Sequence, residues 1–200
     1  VTWLASGFPG GAREAWHGGI RVVRRGTWWD FNWVVPGVLR REFAAPAPDL
    51  VVEDINKVPC FAPWWTRAPV AVIVPHLFGS TALREAALPV ALYVMAFEAL
   101  IPSVYRRAKF VAISESTRDD LAARGIASDR VSVVHCGLDH ATYRPGPPGA
   151  QDPAGAKSAD PTVVFVGRLR RYKGVDWVMR SFPAVLARVP SARLLVIGEG

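Results

Sequence analysis

Cysteine is nearly absent, two of 200 residues, Cys60 and Cys136. Two cysteines cannot staple a fold, so stability must come from a hydrophobic core. A reducing, cytoplasmic compartment is the simplest home, with the inner face of a membrane as the alternative. No Asp-x-Asp pair, His-Glu-x-x-His or Cys-x-x-Cys occurs, so no local motif supports a metal. Gly-x-Ser-x-Gly and Gly-x-Gly-x-x-Gly are missing, and Ala156 breaks the only approach to a P-loop, which excludes a hydrolase elbow, a dinucleotide fingerprint and a Walker site. Acidic residues are the minority, 17 against 24 Lys and Arg, for a net charge of +7. That surplus suits an anionic partner: a phosphorylated ligand, a membrane surface or nucleic acid. The basic residues are scattered and accompany no recognition motif, which argues against nucleic acid. The longest apolar run, residues 86–102, carries Pro89 and Glu98 and is too short and interrupted to span a bilayer. It reads as a buried helix, with one-sided membrane contact as the alternative.

What is present is an α/β pattern. Half the residues are hydrophobic and 20% are charged, a globular composition. Short β-branched runs recur, among them Val70-Ala71-Val72-Ile73-Val74, Phe110-Val111-Ala112-Ile113, Thr162-Val163-Val164-Phe165-Val166 and Leu194-Leu195-Val196-Ile197. They are continuous rather than alternating, as in strands buried on both faces of a parallel sheet. Helical segments lie between them. One is expected to start on Ser116 as N-cap and to close at Gly125; another runs over residues 175–189 through Pro183. Strand–helix alternation of this kind predicts a doubly wound α/β fold. Residues 145–161, rich in Pro, Gly and small side chains, predict a linker between residues 1–144 and residues 162–200. The chain opens on Val1 within one expected strand and closes on Gly200 just after another, so a piece of a longer polypeptide is expected.

The chemically informative segment is Gly167-Arg168-Leu169-Arg170-Arg171-Tyr172-Lys173-Gly174. A buried strand ends at Gly167, where a missing Cβ lets the chain turn or a ligand approach. A helix starts near Gly174, and its mouth offers unpaired N–H groups and the positive end of the dipole. Arg168 and Lys173 add full charges at the carboxyl end of the sheet, where open α/β sheets bind ligands. These parts suit a phosphate or diphosphate; the alternative is a solvated basic turn.

Three segments in order, Val111-Ala112-Ile113-Ser114-Glu115-Ser116-Thr117-Arg118-Asp119-Asp120-Leu121, Val131-Ser132-Val133-Val134-His135-Cys136-Gly137-Leu138-Asp139, and Gly167-Arg168-Leu169 with Lys173-Gly174, resemble family 4 (group 1) glycosyltransferases, the retaining, nucleotide-sugar-dependent group with the GT-B fold. The resemblance runs from about residue 49 to residue 200, and more loosely from Val1. It implies two Rossmann-like domains of the GT-B type facing a cleft. An acceptor-side domain over residues 1–144 would lack its first strand. An incomplete donor domain over residues 162–200 would lack the family's Glu-x7-Glu segment, leaving the fragment inactive alone. It implies that Gly167, Arg168 and Lys173 hold the donor diphosphate and that no metal or other cofactor is needed, the nucleotide sugar being a substrate. It implies that His76, after the strand ending at Val74, lies near the reacting sugar and an acceptor whose identity the residues leave open; a loop histidine is the alternative.

Weaker candidates are Ser114 and Glu115 after a strand, and Gly198 and Gly200, where a nucleotide would approach. Glu53, Asp54 and Asn56 end another strand, within reach of an acceptor hydroxyl or simply solvated. Trp28, Trp29, Trp33, Trp64 and Trp65 either stack on sugar or lipid or pack at a domain edge. A non-catalytic nucleotide- or phosphate-binding module is the competing function.

Overall fold

The computed structural model describes residues 1–43, 45–56, 58–144 and 160–200. The chain divides into two compact units, Val1–Gly137 and Leu138–Gly200. The linker expected over residues 145–161 falls, except for Asp160 and Pro161, outside the described residues.

The first unit holds two sheets. Strand β1 (Thr2–Ala5) runs parallel to β3 (Ile20–Arg24), and β2 (Glu14–His17) pairs antiparallel with β3. The β2–β3 hairpin turns on Gly18 and Gly19, both at positive φ (54° and 79°), the backbone that a two-residue turn matching strand twist requires. The sequence pattern did not flag β2, because Glu14-Ala15-Trp16-His17 contains no β-branched residue.

After helix α1 (Phe31–Glu42) comes the main sheet, β4 (Val51–Asp54), β5 (Val70–Val74), β6 (Lys109–Ala112) and β7 (Val131–Val133), all parallel and in chain order. Helices α2 (Ala82–Glu85), α3 (Leu88–Ala99) and α4 (Ile101–Val104) join β5 to β6, and α5 (Glu115–Ala123) joins β6 to β7. This is the parallel α/β architecture that the continuous β-branched runs dictate. Val72, Val74, Phe110 and Ala112 from the two central strands meet Ile55, Ile101, Tyr105 and Leu121 in one core, all buried. Burying each large apolar side chain contributes about 1.5–3 kcal/mol.

The N-cap of α5 is Ser114, not Ser116. Ser114 is extended (φ −155°, ψ 161°) and its Oγ accepts the Thr117 N–H at 3.2 Å. Ser116 lies inside the first turn, because β6 ends at Ala112 and the chain reaches helical geometry two residues sooner than the Ser-x-x-Asp spacing suggests. The other end is as expected. Gly125 sits at φ 92°, its N–H bonds the Ala122 carbonyl at 2.9 Å, and the Ile126 N–H reaches Leu121 at 3.1 Å. That pair of bonds, with buried Leu121 and Ile126 in contact range of one core, is a Schellman closure.

A buried carboxylate organises the loop after β4. Glu53 accepts hydrogen bonds from the Cys60 N–H, the Ala62 N–H (3.0 Å) and the Tyr105 hydroxyl (2.8 Å), while the Tyr105 oxygen accepts the Phe61 N–H at 2.9 Å. Phe61 is thereby held at φ 56°, left-handed backbone that a residue with a Cβ adopts only at a cost of about 1–3 kcal/mol. Burial pushes the Glu53 carboxyl above its ordinary value against the pull of these donors. Burial, seconded by the Glu53 charge, pushes the Cys60 thiol up to about 12.

In the second unit β8 (Thr162–Val166) and β9 (Arg193–Ile197) are parallel and joined through α6 (Val175–Leu186), which continues past Pro183. The expectation of burial on both faces does not hold here: Val163, Val164 and Val166 of β8 are 45%, 52% and 72% exposed. The described part of this unit has two strands and one long helix, too little structure to cover two sheet faces. Beyond the strands the chains stay paired, Gly167 N–H to the Ile197 carbonyl at 3.0 Å and Leu169 N–H to the Glu199 carbonyl at 2.7 Å. A Cβ on Gly198 would stand 1.8 Å from the Gly167 carbonyl oxygen.

Tyr105→Phe strands the Phe61 N–H and should lower unfolding free energy by about 1–3 kcal/mol in urea titration. A raised carboxyl pKa favours folding below the unfolded value, 4.5, and that stability is lost as pH rises through the folded value. The stability of the unsubstituted chain relative to Glu53→Gln, which does not titrate, should therefore fall from pH 4 toward neutrality. Gly198→Ala forces the ends of β8 and β9 apart and should cost about 1–3 kcal/mol, read as earlier amide exchange in β9.

Candidate functional site

The expected phosphate loop runs from the end of β8 to the mouth of α6. Arg171–Lys173 form one 3₁₀ turn, and Gly174 at φ 71° swings the chain into the helix. The Arg168 guanidinium donates to the Tyr172 hydroxyl at 3.2 Å, and the Lys173 Nζ lies 5.1 Å from the centre of the Tyr172 ring. One aromatic side chain thus anchors both expected cations, through a hydrogen bond to one and a cation–π contact to the other. Sequence reasoning passed over Tyr172; its place between two basic residues was the available signal. Arg168, Arg170, Arg171 and Lys173 are all exposed, and none pairs with a carboxylate among the described residues. The first N–H groups of α6 have no intrahelical acceptor; Asp176, in that first turn, is the one acidic group beside them.

Gly167, Gly198 and Gly200 lie together, because the two strand ends continue to pair. Added Cβ atoms on Gly198 and Gly200 would strike the Gly167 carbonyl and Leu169, respectively. Chain-to-chain approach accounts for both of these glycines. At Gly167 itself nothing lies closer than 3.8 Å to such an atom, so that position is open on its outer side.

The first unit carries a separate open pocket of about 370 Å³ at the carboxyl ends of β5 and β6. His76, Gly79, Ser116, Thr117, Asp120 and Arg124 line it. The loop from β5 is held by two helices. Thr117 Oγ1 donates to the Pro75 carbonyl at 3.0 Å, and Glu98, buried in α3, accepts the Phe78 N–H at 2.7 Å and the Gly79 N–H at 2.8 Å. Arg124 donates to Glu98 at 3.3 Å and to Asp120 at 3.2 Å, so the pocket floor is a hydrogen-bonded chain from α3 to α5. His76 remains exposed, with its ring 4.7 Å from that of Phe78. A histidine, the Ser116 hydroxyl and the start of α5 around one hollow can bond hydroxyl or anionic groups.

The other candidates separate. Ser114 is half-buried and its hydroxyl serves as the α5 cap, while Glu115 is exposed and meets His135 Nε2 at 3.4 Å. The Glu53 carboxylate faces inward onto the Cys60 and Ala62 amides and the Tyr105 hydroxyl; Asp54 stays exposed at the same strand end. The sequence marked Glu98 only as an interruption of an apolar run and did not mark Arg124. The signal for Glu98 was its being the lone charge in an apolar helix, a position that requires buried partners.

Comparison with known proteins follows the same division. Residues 1–142 match Glycosyltransferase Family 4, and residues 160–200 match Glycosyl transferases group 1. Among similar proteins are three named D-inositol 3-phosphate glycosyltransferase. That of Nocardia farcinica is 34% identical over 88 residues (42% of this chain, 20% of the relative). That of Segniliparus rotundus is 35% identical over 71 residues (35% and 16%), and that of Mycobacterium ulcerans 36% over 70 residues (34% and 14%). The matched segments thus span a fifth or less of those relatives' length. On the family match over residues 1–142, joined to this parallel α/β architecture, the chain belongs to glycosyltransferase family 4.

Proposed function

We propose that this chain works in a retaining transfer of a sugar from a nucleotide-sugar donor to a hydroxylated acceptor. Arg168 and Lys173 bind the donor diphosphate, with Gly167 leaving room and the mouth of α6 adding N–H donors. As the bond between the anomeric carbon and the diphosphate oxygen breaks, its electron pair stays on the leaving nucleoside diphosphate. Two fixed cations beside that oxygen stabilise the growing charge, and charge-assisted bonds of this kind contribute about 1.5–3 kcal/mol each. With the charge met by side chains, the transfer runs without added metal and without any cofactor beyond the donor. The acceptor oxygen joins the anomeric carbon on the face the leaving group held, and His76, at the pocket mouth, handles its proton or orients the sugar. The observation that carries this reading is the pair of exposed cations, with no carboxylate partner among the described residues, held on Tyr172 at a helix N-terminus. D-inositol 3-phosphate, for which the similar proteins are named, is the first acceptor to try. The cytoplasm, where nucleotide sugars are at hand, is the proposed site of action.

Calorimetric titration with UDP and with GDP tests the donor role. Arg168→Ala and Lys173→Ala should each weaken binding of the preferred nucleotide about 10–150-fold, the equivalent of ~1.5–3 kcal/mol; unchanged affinity in both variants refutes it. Labelled nucleotide sugars with and without EDTA, supplied to the polypeptide that contains this chain, test the transfer. Nucleotide binding with no transfer to any acceptor would favour a non-catalytic binding module instead. His76→Ala should lower kcat about 10²–10⁴-fold while leaving nucleotide affinity unchanged; an unchanged kcat removes His76 from the reaction.

A further inference from the structure

Helix α3 is apolar on every side, and its one charged residue, Glu98, is buried. Such helices are normally enclosed, and burial is what residues 86–102 lead one to expect. The structure instead buries α3 along a single stripe, Ala91, Val94 and Glu98. Leu88, Pro89, Leu92, Ala96 and Ala99 are exposed. At 3.6 residues per turn they occupy one arc of about 100°, without a polar side chain among them. Next to that arc, Tyr93 and Phe97 carry the apolar surface onto α1, where the Trp33 ring lies 6.5 and 5.7 Å from theirs. Trp33 is 63% exposed. Just ahead of α1, Trp28 and Trp29 stack at 3.7 Å and are also exposed.

Charge selects what covers this face. Exposed arginines bracket it in the chain: Arg84 before α3, Arg106 and Arg107 after α4, Arg40 and Arg41 at the end of α1. The nearby acids are few: Glu42 is already paired with Arg25, Asp30 at the start of α1 accepts the Thr27 N–H and hydroxyl, and Glu85 stands before α3. A second copy docking by the same face would set arginine against arginine in a chain of net charge +7. An anionic lipid surface meets these arginines with opposite charge and takes leucine and tryptophan into the boundary between headgroups and acyl chains. No helix among the described residues is long and apolar enough to cross a membrane, so the contact is one of lying on the surface. We propose that the exposed arc of α3, together with Trp33 and the Trp28–Trp29 pair, docks the protein on an anionic membrane. None of these side chains lines the His76 pocket.

Flotation with vesicles of phosphatidylcholine alone, or with about a third of it replaced by phosphatidylglycerol, tests the proposal. The chain should float with the anionic vesicles only, less as salt rises, and its tryptophan emission should shift to the blue. Leu88→Gln with Leu92→Gln should weaken vesicle binding about tenfold. Arg106→Ala with Arg107→Ala should weaken it about fivefold per arginine. All four side chains are exposed, and unchanged circular dichroism identifies folded variants. Absence of binding to anionic vesicles at low salt, or binding that neither double variant weakens, overturns the proposal. So does sedimentation showing a dimer that Leu88→Gln with Leu92→Gln abolishes, which would assign the face to a second copy.

Discussion

A carboxylate removed from water must be met by hydrogen-bond donors, and in the first unit both buried glutamates find theirs in the loop that follows a strand. Glu53 gathers the Cys60 and Ala62 amides and the Tyr105 hydroxyl after β4, and Glu98 gathers the Phe78 and Gly79 amides and Arg124 after β5. Strands of a parallel sheet deliver all their carboxyl ends to one edge. Tying two successive loops to the core at that edge gives a floor with a defined shape. The His76 pocket rests on this: Glu98, with Thr117 on the Pro75 carbonyl, fixes the backbone that carries the histidine.

The second unit uses charge in the opposite way. Arg168 and Lys173 stay in solvent, each steadied by Tyr172 and neither paired with an acid among the described residues. A cation anchored on an aromatic ring keeps its charge for a ligand, whereas one paired with a carboxylate has already used it. The close pairing of the strand ends at Gly167 and Gly198 sets where this loop begins. Buried charge therefore shapes one unit, and exposed charge arms the other.

Tryptophan shows how composition becomes surface. Trp64 packs on Phe61 at 4.8 Å and Trp65 lies under the Arg40 guanidinium at 4.7 Å, so these two belong to the loop that Glu53 holds. Trp28, Trp29 and Trp33 instead lie at the start of α1 with most of their surface in solvent. Large aromatic faces left in water beside an apolar helix mark contact with something outside the chain.

Much was legible beforehand. Continuous β-branched runs determined the strands and the α/β class, because side chains buried on both faces leave no room for alternation. The basic loop between β8 and α6 was legible too, because strand, turn and helix mouth are adjacent in the chain. Tertiary structure alone decided the rest. Which serine caps α5 depended on where β6 stops; which face of α3 is covered depended on what packs there, since a helix apolar all round carries no pattern to choose between faces. That Glu53 builds a loop while Arg168 meets Tyr172 and no carboxylate among the described residues was equally invisible, because a charged side chain's role follows from the partners folding brings within about 3 Å, and those lie up to 52 residues away in the chain.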